Sequence, residues 1–219
     1  MWPYHRFPLS FREAEELMLE RGVVVSCETI RRWCVTFGPV CARELRRRRP
    51  RPGDKWHLDE VFIKINGEQK YLRRAVDQNG TVLDILVQNR RDTAAASQFF
   101  RRLLKNTGAV PRVVVVTDRL RSYGAAHREV MPCAEHRQSK YPNNRAENSH
   151  QPTRQRERAM KGFCGVGAAQ RFLSAFSGIS PHFRPRRHLM TASGYRAEMT
   201  IRFALWDQIT RAAGRPTTV

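Results

Sequence analysis

Carboxylates stand at three places where they could hold a metal, and the residues around them are strongly basic. Asp59 and Glu60 adjoin in "WHLDEVFIKI", Asp118 ends "VVVVTD", and Glu147 lies in "NNRAENSHQPTRQRER". A charged side chain inside an apolar strand is costly unless something neutralises it, and a divalent cation with oxygen ligands does so. A cation held near His150, Arg154 and Arg158 would sit among groups that seek phosphate, so the implied chemistry is at a phosphodiester. Plainer readings exist for each acid. Asp118 could end its strand as a turn former, and Glu147 could be the returning partner of a capping box begun by Asn144.

Strands and helices must bring these positions together. Trp56 to Ile65, Gln69 to Asp77 and Thr81 to Val87 read as three strands, the last two joined by a turn containing Asn79-Gly80. Asp92 caps a helix over Thr93 to Lys105, and "PRVVVVTD" is a short apolar run of the kind buried on both faces. Asp118 therefore falls at the carboxyl end of a strand, where α/β sheets present ligands. A helix to about His127 and a short segment around Cys133 to Gln138 follow. Asn144 then caps a helix that sets Glu147, His150, Gln151, Arg154 and Arg158 along one face. Pro152 removes one backbone donor from it and predicts a kink. In the first strand successive side chains point to opposite faces, so only one of Asp59 and Glu60 can join the other acids, and the burial pattern leaves that choice open.

Upstream, Ser10 to Arg21 carries Ala14, Leu17 and Met18 on one helical face, Gly22 interrupts, and Ser26 caps a second helix to Phe37. Ile30, Trp33, Cys34 and Phe37 form a buried stripe in that helix, which leaves Arg31 and Arg32 outside. The pair resembles a helix-turn-helix whose second helix enters a major groove, although a plain helical hairpin fits the same pattern. The stretch "ARELRRRRPRPGDK" reads as a linker, with Arg46, Arg47, Arg48, Arg49 and Arg51 as phosphate contacts or as a solvated charge run. Val166 to Ile179 and Arg196 to Ala213 read as amphipathic packing helices.

Composition narrows the function classes. The 219 residues hold 40 Lys and Arg against 20 Asp and Glu, and the resulting charge of +20 calls for a polyanion, nucleic acid first. No apolar run approaches the roughly 20 residues that span a bilayer, and the start lacks a signal-peptide layout, so the expected location is the cytoplasm. Five cysteines without a Cys-x-x-Cys pair argue for reduced thiols over a disulfide framework or a zinc ribbon.

The blocks "WHLDEVFIKINGEQKYLRRAVDQNG", "VVVTDRLRSYGAA", "EHRQSKYPNNRAENSHQPTRQRERAMKGF" and "AQRFLSAF" resemble the DDE transposases of the insertion-sequence-six family over nearly the whole chain. The resemblance implies an α/β fold with a ribonuclease-H-like core, a mixed sheet of about five strands with flanking helices, preceded by a small all-α helix-turn-helix domain. The expected divisions are a helix-turn-helix over 1–41, an Arg/Pro-rich linker over 42–54, a catalytic domain over 55–180 and a helical extension over 181–219. The resemblance selects Asp59 over Glu60, so that Asp59, Asp118 and Glu147 match the family's triad and Arg154 its basic residue. It implies two divalent metal ions, magnesium with manganese as an alternative. The implied partners are double-stranded DNA, both the element's terminal repeats and the target, and a second copy of the chain at least. Water would attack at the element's 3′ ends, and the freed hydroxyls would then attack target DNA. A nuclease of the same core that cannot join strands, a helix-turn-helix regulator from an inactive copy and a DNA-packaging protein are the competing readings.

Overall fold

The computed structural model describes residues 1–116, 121–138 and 144–213, which divide into a unit of Met1–Arg49 with the chain from Arg171 onward, and a unit of Pro50–Gln170. In the first unit a short helix α1 (Trp2–Arg6) precedes α2 (Phe11–Glu20). Ser10 starts α2 with a capping box: its Oγ accepts from Glu13 N at 3.1 Å, and Glu13 Oε2 accepts from Ser10 N. Gly22, at φ 72°, takes the left-handed turn that ends the helix, and Ser26 caps α3 (Cys27–Arg47). Tyr4, Ala14, Ile30 and Cys34 pack together between these helices.

The second helix does not stop at Phe37. Buried Cys41, Ala42 and Leu45 continue the stripe of Ile30 and Cys34 at helical spacing, so α3 runs for 21 residues with Pro39 inside it. The expected linker over 42–54 thus shortens to residues 48–54. Arg46 and Arg47, expected outside any helix, occupy the last turn of α3, where cations suit the carbonyl end.

In the second unit β1 (Lys55–Ile65), β2 (Glu68–Asp77) and β3 (Val82–Gln88) form an antiparallel meander. Asn66 and Gly67 make the first turn at positive φ, and Asp77 Oδ1 accepts the amides of Asn79 and Thr81 in the second. Helix α4 (Thr93–Thr107) starts at Asp92, whose carboxylate accepts from Ala95 N, and ends at Gly108. Strand β4 (Val113–Val116) pairs in parallel with β1, and after α5 (Arg121–Val130) strand β5 (Glu135–Gln138) pairs in parallel with β4. The sheet order β3-β2-β1-β4-β5 leaves β1 in the centre. Trp56, Leu58, Ala75 and Val114 pack on one face against Phe99, Phe100 and Leu103 of α4 and Tyr123 and Ala126 of α5. Helix α6 (Asn144–Ala159) packs against β1 and β2, and Arg74 of β2 bonds to it. A mixed sheet of five strands with flanking helices is the layout that the family resemblance implies.

Helix α7 (Val166–Ile179), single turns of 3-10 helix at Ser180–Phe183 and Arg187–Leu189, and α8 (Ala192–Ala213) follow. Ala175, Ile179, Phe183, Trp206 and Ile209 share one core with Cys41, Ala42 and Leu45. Residues 181–213 thus cover the apolar face at the far end of α3. Gly178 makes the close approach: a Cβ there would lie 2.7 Å from Ala42 Cβ and 3.1 Å from its Cα. Among the described residues no helix is long and apolar enough to cross a membrane.

Candidate active site

The dipeptide Asp59-Glu60 lies in the central strand and sends one acid to each face of the sheet. Across the ladder it meets two arginines of "YLRRAVD", Asp59 opposite Arg74 and Glu60 opposite Arg73. Directly opposed residues share a face, so each acid finds a guanidinium on its own side. Sequence reading overlooked both arginines. Their signal was an adjacent cationic pair inside an apolar strand, which needs one acid per face.

Glu60 is committed to structure. Its side chain is 1% exposed, with Arg73 Nε 2.8 Å from Oε2 and Arg91 Nε beside Oε1. Arg73 also donates to Tyr123 OH at 3.0 Å and to Gln88 Oε1, which ties three strands to α5. A basic partner for Glu60 was expected, and it has two.

Asp59 faces α6. Its side chain is 10% exposed, and Oδ2 lies 3.5 Å from His150 Nε2. Burial first, then the charges of Arg74 and Arg154, hold the His150 imidazole well below its ordinary pKa. It is therefore neutral at pH 7 and meets the carboxylate as a dipole. His150, Thr153 and Arg156 recur along the buried side of α6. Arg74 reaches the same helix, with Nη1 donating to the Ser149 carbonyl and Nη2 to Thr153 Oγ1. Burial lowers the Arg74 pKa to about 10 while the charge of Asp59 opposes that shift, so the guanidinium stays protonated.

Glu147 lies three residues before His150, in the first turn of α6, and its side chain lies outside the described residues. Asp118 lies outside them altogether, two positions past the end of β4. That strand runs beside β1, with Val116 level with Leu58. Asp59, the strand leading to Asp118 and the helix carrying Glu147 thus belong to one region of this unit. A hard divalent cation takes carboxylate oxygens, and Asp59, nearly buried beside an uncharged imidazole, fits as one such donor. Among the described residues alone, no group of three or more His, Cys, Asp or Glu side chains could hold a metal ion.

The family model described as a DDE domain, of the IS240 type, matches residues 53–186. The chain is 30% identical over 197 residues, 88% of its own length and 86% of the relative's, to the transposase for insertion sequence-like element IS431mec of Staphylococcus aureus. The chain belongs to the DDE transposases of the insertion-sequence-six family. Among solved structures, the transposase resembles the catalytic domain of Mos1 mariner transposase, with a TM-score of 0.44 and 15% identity over 83% of this chain and 94% of that one. It also resembles the HTLV-2 integrase catalytic core domain in complex with magnesium, with a TM-score of 0.45 and 11% identity over 57% of this chain and 85% of that one.

The transposase holds its expected DNA-contact residues in different settings. Arg154 and Arg158 are exposed on α6, whereas His150 is 1% exposed and turned toward Asp59, a position that corrects its expected place at a DNA surface. Arg32, Arg48 and Arg51 are exposed; exposed Arg31 pairs with Glu28, and exposed Arg47 lies 3.3 Å from Glu44. Arg46 donates to the Ser174 carbonyl at 2.6 Å and Arg49 to the Gly178 carbonyl at 2.9 Å, near the carbonyl end of α7. The Gly178 carbonyl belongs to the last turn of α7, so Arg49 does the work of a helix cap.

Proposed function

We propose that this transposase cuts the 3′ ends of an insertion sequence and joins them to target DNA at a site formed by Asp59, Asp118 and Glu147. The observation that carries the reading is the nearly buried Asp59 carboxylate, facing the helix that bears Glu147, in a chain of the DDE family. The three carboxylates would hold divalent metal, two magnesium ions with manganese as a substitute. When bound, the metal makes the attacking hydroxyl more acidic and stabilises charge on the phosphoryl oxygens.

The chain's own residues do the rest. Asp59 is fixed by a strand paired on both edges, so its carboxylate is preorganised. His150, buried and neutral, borders that carboxylate without adding charge, a positioning role. Arg154 and Arg158 project from α6 to hold the backbone phosphates near the reacting bond. Arg31 and Arg32 face outward on α3 to read the terminal repeat, while Arg47, Arg48 and Arg51 neutralise flanking phosphates. Two ends must meet for both to join one target, so the working form is at least a dimer on double-stranded DNA, acting in the bacterial cytoplasm.

Labelled duplexes carrying candidate terminal repeats, incubated with the protein, magnesium and a target plasmid, test the reading. Cut ends and joined products are expected, and both disappear in Asp59→Asn. Cut ends without joined products would instead identify a nuclease, and end binding without cutting a regulator.

A further inference from the structure

Helix α6 contains a fault. Pro152 has no N–H, so the Asn148 carbonyl lacks its helical donor, and the proline ring crowds the same turn, at a cost of ~3 kcal/mol or more in a helix interior. The helix nevertheless runs unbroken over Asn144–Ala159. Ser149 and Thr153, on either side of the proline, are the residues that Arg74 holds through Nη1 and Nη2. Arg74 is 3% exposed, so its two bonds to α6, through Nη1 and Nη2, stand in for water around the guanidinium. A planar guanidinium can hold two acceptors a helical turn apart in fixed geometry, which an ammonium cannot. Past the fault, a second tie holds α6: Lys64 N donates to Glu157 Oε1 at 3.3 Å.

We propose that Arg74 is a positioning residue whose guanidinium splints α6 across Pro152, and so fixes the turn carrying Glu147 against the strand carrying Asp59. The inference rests on the assignment of Asp59 and Glu147 to the active site. Arg74 lies opposite Asp59 on the neighbouring strand, so one side chain sets both the direction of the helix and its register on the sheet. Cutting the splint should loosen the part of α6 before Pro152 and leave the part tied through Glu157 in place.

Hydrogen exchange and single-turnover cleavage on the full-length protein test this. Arg74→Lys keeps a positive charge beside Asp59 but loses the fork. Its amides over residues 144–153 should exchange roughly tenfold faster, while those of α4 and the affinity for end DNA stay unchanged. Cleavage should slow by about 10- to 100-fold with KM for DNA unaltered, as small misplacements of reacting groups do. Adding Pro152→Ala, which restores the missing helical donor, should recover most of both losses. Unchanged exchange in Arg74→Lys, or an equal loss in the Pro152→Ala background, overturns the proposal. Should Arg74→Lys raise exchange everywhere, Thr153→Val removes one acceptor at constant shape, and the absence of local acceleration there overturns it equally. If Asp59→Asn cleaves normally while Arg74→Lys still loosens α6, the active-site assignment fails and the splint stands.

Discussion

Asp59 and Glu60 differ by one methylene group and one position, yet the plane of the sheet between them gives them unlike roles. Asp59→Asn keeps the shape and removes the charge that would hold metal, so we expect folding and end binding to persist and cleavage to vanish, read by calorimetry, gel shift and end-labelled DNA. Glu60→Gln strips charge from a fully buried ion pair with Arg73, and breaking such a pair costs about 3–5 kcal/mol. It should lower the unfolding midpoint sharply while the molecules that remain folded still cleave; normal stability would refute the structural role. From the sequence alone the two acids were indistinguishable, because parity assigns them to opposite faces without saying which face is which. The family resemblance chose Asp59. What decides the matter in the fold is the pairing of "DE" with "RR", and that depends on a register set by the Asn66-Gly67 turn. His150 was misjudged for a related reason: a histidine among arginines reads as a surface group until the sheet beneath the helix is known.

At the scale of elements, strand and helix order was legible because apolar period and turn residues agree throughout the sheet unit. The long α3 was not, since the sequence reading follows its apolar stripe only to Phe37 and takes "RRRR" as part of a linker. Leu45 in the core and carbonyls near the end of α7 hold that last turn in place, and both are tertiary features. The approach of α7 to α3 gives a prediction. Gly178→Ala gains about 1 kcal/mol of helix propensity but drives a Cβ into Ala42, and overpacking of this kind costs about 1–3 kcal/mol. We expect net destabilisation by urea titration, growing in Gly178→Val. A second prediction concerns His127 of α5 and His136 of β5, whose rings stack at 4.7 Å. Burial holds both imidazoles below their ordinary pKa, with the charge of Arg128 adding to the effect. The unfolded chain takes up protons near pH 6.5 while the folded pair resists, so their contribution is complete above that pH and lost as pH falls beneath it. The urea midpoint should drop between about pH 7 and pH 5, and His127→Phe should flatten that drop.

At the scale of the molecule, the charge of +20 predicts that DNA affinity falls steeply with salt, with a logarithmic slope near −0.9 per phosphate neutralised. A nearly flat titration by fluorescence anisotropy would rule out the basic surface as the source of binding. The charge and the nucleic-acid partner were plain in the sequence, but the interleaving of the first unit's two segments was not, because apolar stripes at residues 30–45 and 175–209 carry no mark that they share a core. That interleaving has a consequence for synthesis. As the chain leaves the ribosome, the sheet unit has all its residues once Gln170 has emerged, whereas the far half of α3 waits for Trp206 and Ile209 before its apolar face is covered. The helices proposed to recognise element ends would then gain their final stability only after α8 has been translated. Nascent chains stalled after Gln170 has cleared the exit tunnel but before Trp206 has should show a protease-resistant sheet unit and a protease-sensitive α3, and resistance of α3 should appear once α8 is clear of the tunnel.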